Sequence, residues 1–257
     1  MNISTILLII VIIVLLYILV RYITTDVNTL SGLSSGTAMT TIESTSLAQS
    51  ASGNNSSNFA YSIWFYVNDW NYRYGEPKVI FGRMGSTSSD STSGTPSGIM
   101  QMGPCPAVIL GPISNNLDIA LTVYPGLDSV SNTTGTSNSM LHNCAVPNVP
   151  IQKWVNLLIS VYGRSLDVYL DGKLVKTCVL PGIAKINDNS NVYVTPSGGF
   201  SGWTSKFQYY PNSIDPQTAW NIYQQGYGAS MLGNIFGKYQ VKVSLVENGA
   251  ESSSLTI

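Results

Sequence analysis

The sequence predicts an all-β fold, a sandwich of two antiparallel sheets with one short helix, carried behind a single N-terminal transmembrane α-helix. Three observations lead there. Residues Ile6–Val20 form an unbroken apolar run. From Phe59 onward, short β-branched and aromatic segments recur between Gly- and Pro-bearing turns. Charged residues make up only 10% of the chain, so Ser, Thr, Asn, Gly and Tyr supply the polarity, as suits a loop-rich β-protein. The chain divides into an anchor at 1–23, a Ser/Thr/Asn/Gly-rich stalk at 24–58 and a sandwich domain at 59–257.

The anchor consists of Ile6, Leu7, Leu8, Ile9, Ile10, Val11, Ile12, Ile13, Val14, Leu15, Leu16, Tyr17, Ile18, Leu19 and Val20. With Ile3, Ser4 and Thr5 the run measures about 27 Å as a helix, close to the thickness of a hydrocarbon core. A helix apolar on every face must be buried in protein or in lipid, and no neighbouring segment offers cover. A cleaved signal peptide fits less well, because MNIST lacks a basic side chain and no small-residue cleavage site follows. Arg21 is the only basic residue beside the helix, and it lies on the C-terminal side. The positive-inside rule therefore puts the domain on the cytosolic face, whereas sequons at Asn2, Asn54, Asn55 and Asn132 would argue otherwise if glycosylated.

The stalk lacks periodicity and reads as a loose spacer, with isolated Leu30, Leu33, Ile42 and Leu47 available to a partner. Tyr61–Val67 is apolar or aromatic on both faces, as in a central strand. Lys78–Phe81 and Ala107–Leu110 are short apolar runs, and Leu117–Tyr124 alternates with Leu117, Ile119, Leu121 and Val123 on one face. Trp154–Val161 turns through Gly163-Arg164 into Ser165–Leu170, and Asp171-Gly172 is a two-residue hairpin signal leading into Lys173–Leu180. Further strands are expected at Val192–Val194, Lys206–Tyr210 and Tyr239–Val246, the last pairing at a sheet edge. One helix is expected after Asp215, its N-cap, with Pro216 in the first turn and Gly226 closing it. Polar loops fall at Gly85–Gly98 and Asp128–Ser139.

FAYSIWFYV, the hairpin KWVNLLISVYGRSLDVYLDGKLV, the glycine-rich GGFSGWTSKFQYY and the helix DPQTAWNIYQQG occur in an order that resembles the laminin-G-like branch of the concanavalin A-like lectin and glucanase superfamily. The resemblance covers Phe59 to about Gly226 and implies a two-sheet jelly roll. A laminin-G-like domain on one anchor is also similar to membrane-anchored accessory virion proteins of large DNA viruses. That likeness implies capsid proteins as partners and an internal virion membrane as the location.

Enzyme chemistry is not expected. Glucanases of this superfamily cluster acids in a pattern like ExDxxE, because glycoside hydrolysis needs two carboxylates across the bond. Here Glu76, Glu247 and Glu251 are the only glutamates after the stalk, and none belongs to such a cluster. His142 is the only histidine, read as a loop residue beside a buried Cys144, without the further ligands zinc requires. Some laminin-G-like domains hold calcium, but no ligand spacing selects the loop acids Asp90, Asp128 and Asp188, so no cofactor is expected. The three cysteines, Cys105, Cys144 and Cys178, show no CxxC spacing and read as buried thiols, with a Cys105–Cys144 bridge left open. A net charge of −1 and the lack of any basic stripe exclude a nucleic-acid partner.

The candidate contact site is the loop NDWNYRYGEP, where Trp70, Tyr72 and Tyr74 alternate beside Arg73. Such aromatics anchor a protein partner, stack on a sugar face, or fold back over the core edge. The sequence thus supports a non-enzymatic membrane-anchored structural protein, a minor capsid component joining an internal membrane to a protein shell. The alternative is a membrane-displayed lectin-like receptor or adhesin.

Overall fold

The computed structural model describes residues 28–47, 57–84, 103–124, 139–186 and 189–228, with the backbone of Lys242–Glu247 and Ala250–Thr256. It also describes Val11, Ile12, Val14, Leu15 and Tyr17, which are helical and exposed. The rest of Ile6–Val20 lies outside the described residues, among which no helix is long and apolar enough to cross a membrane.

Asn28–Tyr227 forms one compact unit, an all-β sandwich. Its strands are β1 (Thr29–Ser31), β2 (Ser34–Ser35), β3 (Thr40–Ile42), β4 (Phe59–Asp69), β5 (Lys78–Arg83), β6 (Ala107–Leu110) and β7 (Leu117–Val123). They continue with β8 (Met140–Val146), β9 (Trp154–Tyr162), β10 (Ser165–Leu170), β11 (Lys173–Val179), β12 (Val192–Val194) and β13 (Ser201–Tyr210). One sheet runs β1-β13-β4-β9-β10-β11, with β2 also on β13; the other runs β3-β12-β5-β6-β7-β8. Every pairing is antiparallel.

The alternation of a strand explains the core. Phe59, Tyr61, Ile63, Phe65 and Val67 of β4 point inward beside Val155, Leu157, Ile159 and Val161 of β9. Against them the other sheet sets Val108 and Leu110 of β6 with the expected Leu117, Ile119, Leu121 and Val123 of β7. Each such side chain contributes about 1.5–3 kcal/mol on leaving water. Tyr61 sits at the centre, ring to ring with Phe59, Phe81, Phe207 and Tyr209, and burial pushes its phenol pKa far up.

Helix α1 (Pro216–Gln224) begins as expected: the Asp215 carboxylate accepts from Thr218 N at 3.0 Å and from Thr218 Oγ1 at 2.7 Å. Those two hydrogen bonds hold the Asp215 pKa below its ordinary value. Gly226 follows the helix in a left-handed conformation, φ +73°. Ala219 and Ile222 press on Ala60, Leu158 and Tyr169, the outer face of the first sheet. The Asp171-Gly172 hairpin forms in the expected place, so tightly under α1 that a Cβ on Gly172 would meet Trp220 and Tyr223 at 2.9 Å.

Several expectations are corrected. The stalk reading fails for residues 28–47: β1 and β2 pair with β13, β3 pairs with β12, and Ile42 and Leu47 join the core. Hydroxyl-rich sequence hid three short strands whose stability comes from pairing with longer partners. The domain therefore begins at Asn28 instead of residue 59. It ends at Tyr227, because Met1–Val27 and Gly228–Ile257 cluster as a separate unit. There β14 (Lys242–Glu247) pairs with β15 (Ala250–Thr256) in a hairpin of its own, in place of the expected sheet-edge strand. His142 and Cys144 lie on strand β8, not in a loop. Cys144 is bridged to Cys178, Cα atoms 6.1 Å apart, while Cys105 is the buried free thiol. The bridge joins β8 to β11, the edge strands of the two sheets. Residues 85–102 and 125–138, which hold most of the expected polar loops, lie outside the described residues.

Candidate functional site

The rim loop after β4 is held by its own side chains. Trp70 Nε1 donates to Ile113 O at 3.0 Å, and Tyr72 Oη donates to Gly198 O at 3.1 Å. Arg73 donates from Nη1 to Ser197 O and pairs with Glu76 at 2.7 Å. Lys78 Nζ, buried and without a hydrogen-bond partner, lies 4.7 Å from the centre of the Trp70 ring. Burial first, and the Arg73 charge second, hold the Lys78 pKa below the lysine value. Of the four residues singled out in this loop, Trp70, Tyr72 and Arg73 are thus engaged by the domain itself, and Tyr74 is exposed.

A larger aromatic array lies on the outer face of the first sheet, beside α1. The register sets Trp203 of β13 opposite Tyr66 of β4, and Tyr66 opposite Trp154 of β9. The three rings form a row across three strands, with centroids 5.6 Å and 5.8 Å apart. Tyr227 stacks on Trp154 at 4.6 Å with planes 10° apart, and its edge meets Trp64 at 5.8 Å. Trp64 stacks on Tyr223 at 5.6 Å, and Tyr223 touches Trp220 at 5.4 Å. Seven rings are therefore linked in one chain of contacts. Trp203 is 44% exposed and Tyr227 47% exposed, whereas Trp64 is buried.

Polar groups border the rings. Ser205 Oγ donates to Tyr227 O at 2.7 Å, fixing that tyrosine over the sheet. Trp64 faces Asn156 across β4 and β9. Asn156 Nδ2 donates to Ser62 Oγ at 3.1 Å, yet Asn156 Oδ1 and Trp64 Nε1 are both buried without a hydrogen-bond partner. Of the charges that flank the row in sequence, Lys153 Nζ pairs with Asp171 at 3.0 Å, and Asp69 accepts from the neutral Asn71 N at 2.9 Å.

Carboxylates elsewhere do structural work. Asp171 also accepts from Asn156 N at 3.0 Å, Asp167 from Thr177 Oγ1 at 2.6 Å and Asp118 from Asn143 Nδ2 at 3.2 Å. Among the described residues no group of three His, Cys, Asp or Glu side chains could hold a metal. Asp90, Asp128 and Asp188, weighed as calcium ligands, lie outside the described residues.

Sequence reasoning passed over this array. The signal was present in β4, whose second face carries Trp64 and Tyr66, and in the tryptophans that open β9 and sit early in β13. Only the register shows that they meet.

With the fold and the face described, the class of protein follows: a jelly-roll β-sandwich of two antiparallel sheets. No family model and no curated protein matches the chain. It is similar in structure to the receptor binding domain of botulinum neurotoxin D, at 10% identity and a TM-score of 0.50, over 78% of this chain and 45% of that one. A second structure, the botulinum neurotoxin serotype D binding domain, aligns at 11% identity and a TM-score of 0.49, over 75% and 41%. A third is the serotype D ligand binding domain in complex with N-acetylneuraminic acid, at 11% identity and a TM-score of 0.49, over 79% and 44%. The chain spans less than half the length of these domains, and the likeness is one of fold alone.

Proposed function

We propose that the protein is a non-enzymatic recognition module tethered to a membrane, a laminin-G-like sandwich of the lectin-type receptor or adhesin kind. The observation that carries this reading is the aromatic outer face of the first sheet, with Trp203 and Tyr227 open to solvent beside the Lys153–Asp171 ion pair. Exposed clustered aromatics are a feature of recognition surfaces, because they offer large contact area for little conformational entropy. Acids engaged in turns and caps, instead of facing one another across a cleft, support a non-catalytic role. The Ile6–Val20 run supplies the tether. The Cys144–Cys178 bridge favours an oxidising compartment for the domain, against the lone vote of Arg21.

A second reading, the minor capsid component facing the cytosol and linking membrane to shell, is favoured by a different observation. Edge strand β11 exposes Leu174, Val175 and Val179, the last 73% exposed, and an open apolar edge is suited to pairing with another protein.

The readings part on three measurements with the full chain. Alkaline carbonate should leave the protein in the membrane pellet, and added protease should spare the domain in intact microsomes. A photo-crosslinking residue at Trp203 should form adducts in native membranes. Release by carbonate removes the tether, digestion of the domain favours the capsid component, and adducts only from position 174 or 179 would move the contact to β11.

A further inference from the structure

Resting on the recognition-module reading, we infer that the row Trp203–Tyr66–Trp154, continued by Tyr227, is a stacking platform for a neutral glycan. Three properties of the face point to this ligand, and the first is shape. Antiparallel strands hold successive rings at nearly the spacing of the strands themselves, so β13, β4 and β9 present a line of rings with centroids 5.6 Å and 5.8 Å apart. The open ends of that line are the exposed Trp203 and Tyr227. Neighbouring rings of the row are tilted by 54° and 55°, and Tyr227 covers one face of Trp154, so the rings open to a ligand are Trp203 and Tyr227, to which the C–H faces of sugar rings are suited.

The second is charge. α1 carries no acidic side chain in its first turn and no basic one in its last. Lys153 and Asp171 neutralise one another beside Trp154. A phosphate- or sulfate-bearing ligand would have to draw Lys153 from Asp171 or Lys206 from Gln225 Oε1, to which it donates at 2.7 Å. A protein contact would be expected to include arginine among its anchors, and none stands in the ring chain.

The third is hydrogen bonding. Trp64 Nε1 and Asn156 Oδ1, opposed across β4 and β9 one step inward of the row, are a buried donor and a buried acceptor without partners. Such groups are costly to leave unpaired. A hydroxyl can accept from the indole N–H and donate to the amide oxygen at once, and hydroxyls are what a neutral glycan brings. Tyr227 touches Trp64 as well as Trp154 and so links this pair to the row.

The experiment uses the full chain in detergent micelles, with tryptophan fluorescence and calorimetry as readouts. The probes are cellohexaose, mannohexaose, chitohexaose and laminarihexaose. A heparin hexasaccharide, sialyllactose and phosphatidylcholine vesicles form the comparison arms. At least one neutral hexaose should bind, shift the tryptophan emission and keep its affinity between low and high salt. Trp203→Ala and Trp154→Ala should each weaken binding at least tenfold, and Trp203→Leu, which keeps the bulk without the ring, should do the same. Tyr74→Ala on the rim should bind as the parent does. The inference is overturned if none of the four neutral probes binds, or if Trp203→Leu binds as tightly as the parent. Preferential binding of heparin, sialyllactose or vesicles overturns it equally. A protein adduct at position 203 alongside four silent hexaoses would sink the glycan while leaving the recognition module standing.

Discussion

Removing the Cys144–Cys178 bridge should cost this domain a large part of its stability. The two cysteines are 34 residues apart in sequence, and they join β8 to β11, edge strands of different sheets. Closing a loop of that length removes about 12.6 cal/mol/K from the unfolded chain, or about 3.8 kcal/mol at 25 °C. For a domain of this size each kcal/mol moves the melting temperature by about 2–4 °C, so the loss should be about 8–15 °C. The assay is thermal unfolding of the full chain in detergent, with and without reductant, beside a Cys144→Ala/Cys178→Ala double variant. Reductant should lower the parent to the level of the double variant and leave the double variant unmoved. Cys105→Ala should still respond to reductant, because Cys105 is free and buried. Parent protein indifferent to reductant, or a peptide map linking Cys105 to either partner, would refute the reasoning and with it the case for an oxidising compartment.

Lys78→Met should raise the melting temperature at neutral pH, since it removes a buried ammonium with no hydrogen-bond partner at a relief of about 1–3 kcal/mol. The depressed native pKa means the unfolded chain holds a proton that the folded chain releases. Parent stability should therefore rise with pH from the native lysine pKa up to the ordinary value, and the Met variant should lack that rise; a variant melting below the parent at pH 7 counts against it. Gly202→Ala should cost at least about 3 kcal/mol of stability and lower the denaturant midpoint with it: φ is +154° and a Cβ would stand 1.8 Å from Tyr66 O. An unchanged midpoint would show that β13 has room to shift. Cys105, its thiol pushed up to about 12 by burial, should resist iodoacetamide at pH 8 until the protein unfolds, and alkylation of the native protein would contradict its placement.

Strands β7, β9, β10 and β12, the Asp171-Gly172 hairpin and the capped start of α1 were legible because each has a local cause: period-two alternation, turn chemistry, or a side chain that satisfies a helix N–H. Residues 28–47 were not legible. Their strands are two or three residues long, and what holds them is the β13 and β12 ladders far along the chain. β8 was missed for a related reason: MLHNCAV is an edge strand whose apolar residues fall on the exposed as well as the buried face, with His142-Asn143 between them, so no alternation marks it. The disulfide was hidden likewise, because spacing in sequence carries no information about which sheet edges come together.

The aromatic face shows the same limit at the site itself. Strand β4 alternates a core set, Phe59 to Val67, with an outer set that ends in Trp64 and Tyr66, so a continuously apolar strand looked like one buried on both sides. Half of that outer face is indeed covered, where Ile214, Ala219 and Ile222 lie on Ala60 and Leu158. On the other half Trp64 stacks on Tyr223 of α1, and beyond it the rings of β13, β4 and β9 meet one another and Tyr227. Gly202 is part of the reason they meet: with no Cβ, β13 approaches the Tyr66 carbonyl closely at the step that brings Trp203 alongside Tyr66. A side chain at that position would spread the two strands and open the row. The conformational freedom of one glycine, the end of a nine-residue helix and the register of three strands together leave this part of the sheet aromatic, with Trp203 and Tyr227 exposed. That combination explains why a core-like sequence forms a surface, and why the surface lies on the sheet instead of the rim loop where alternating aromatics first drew notice.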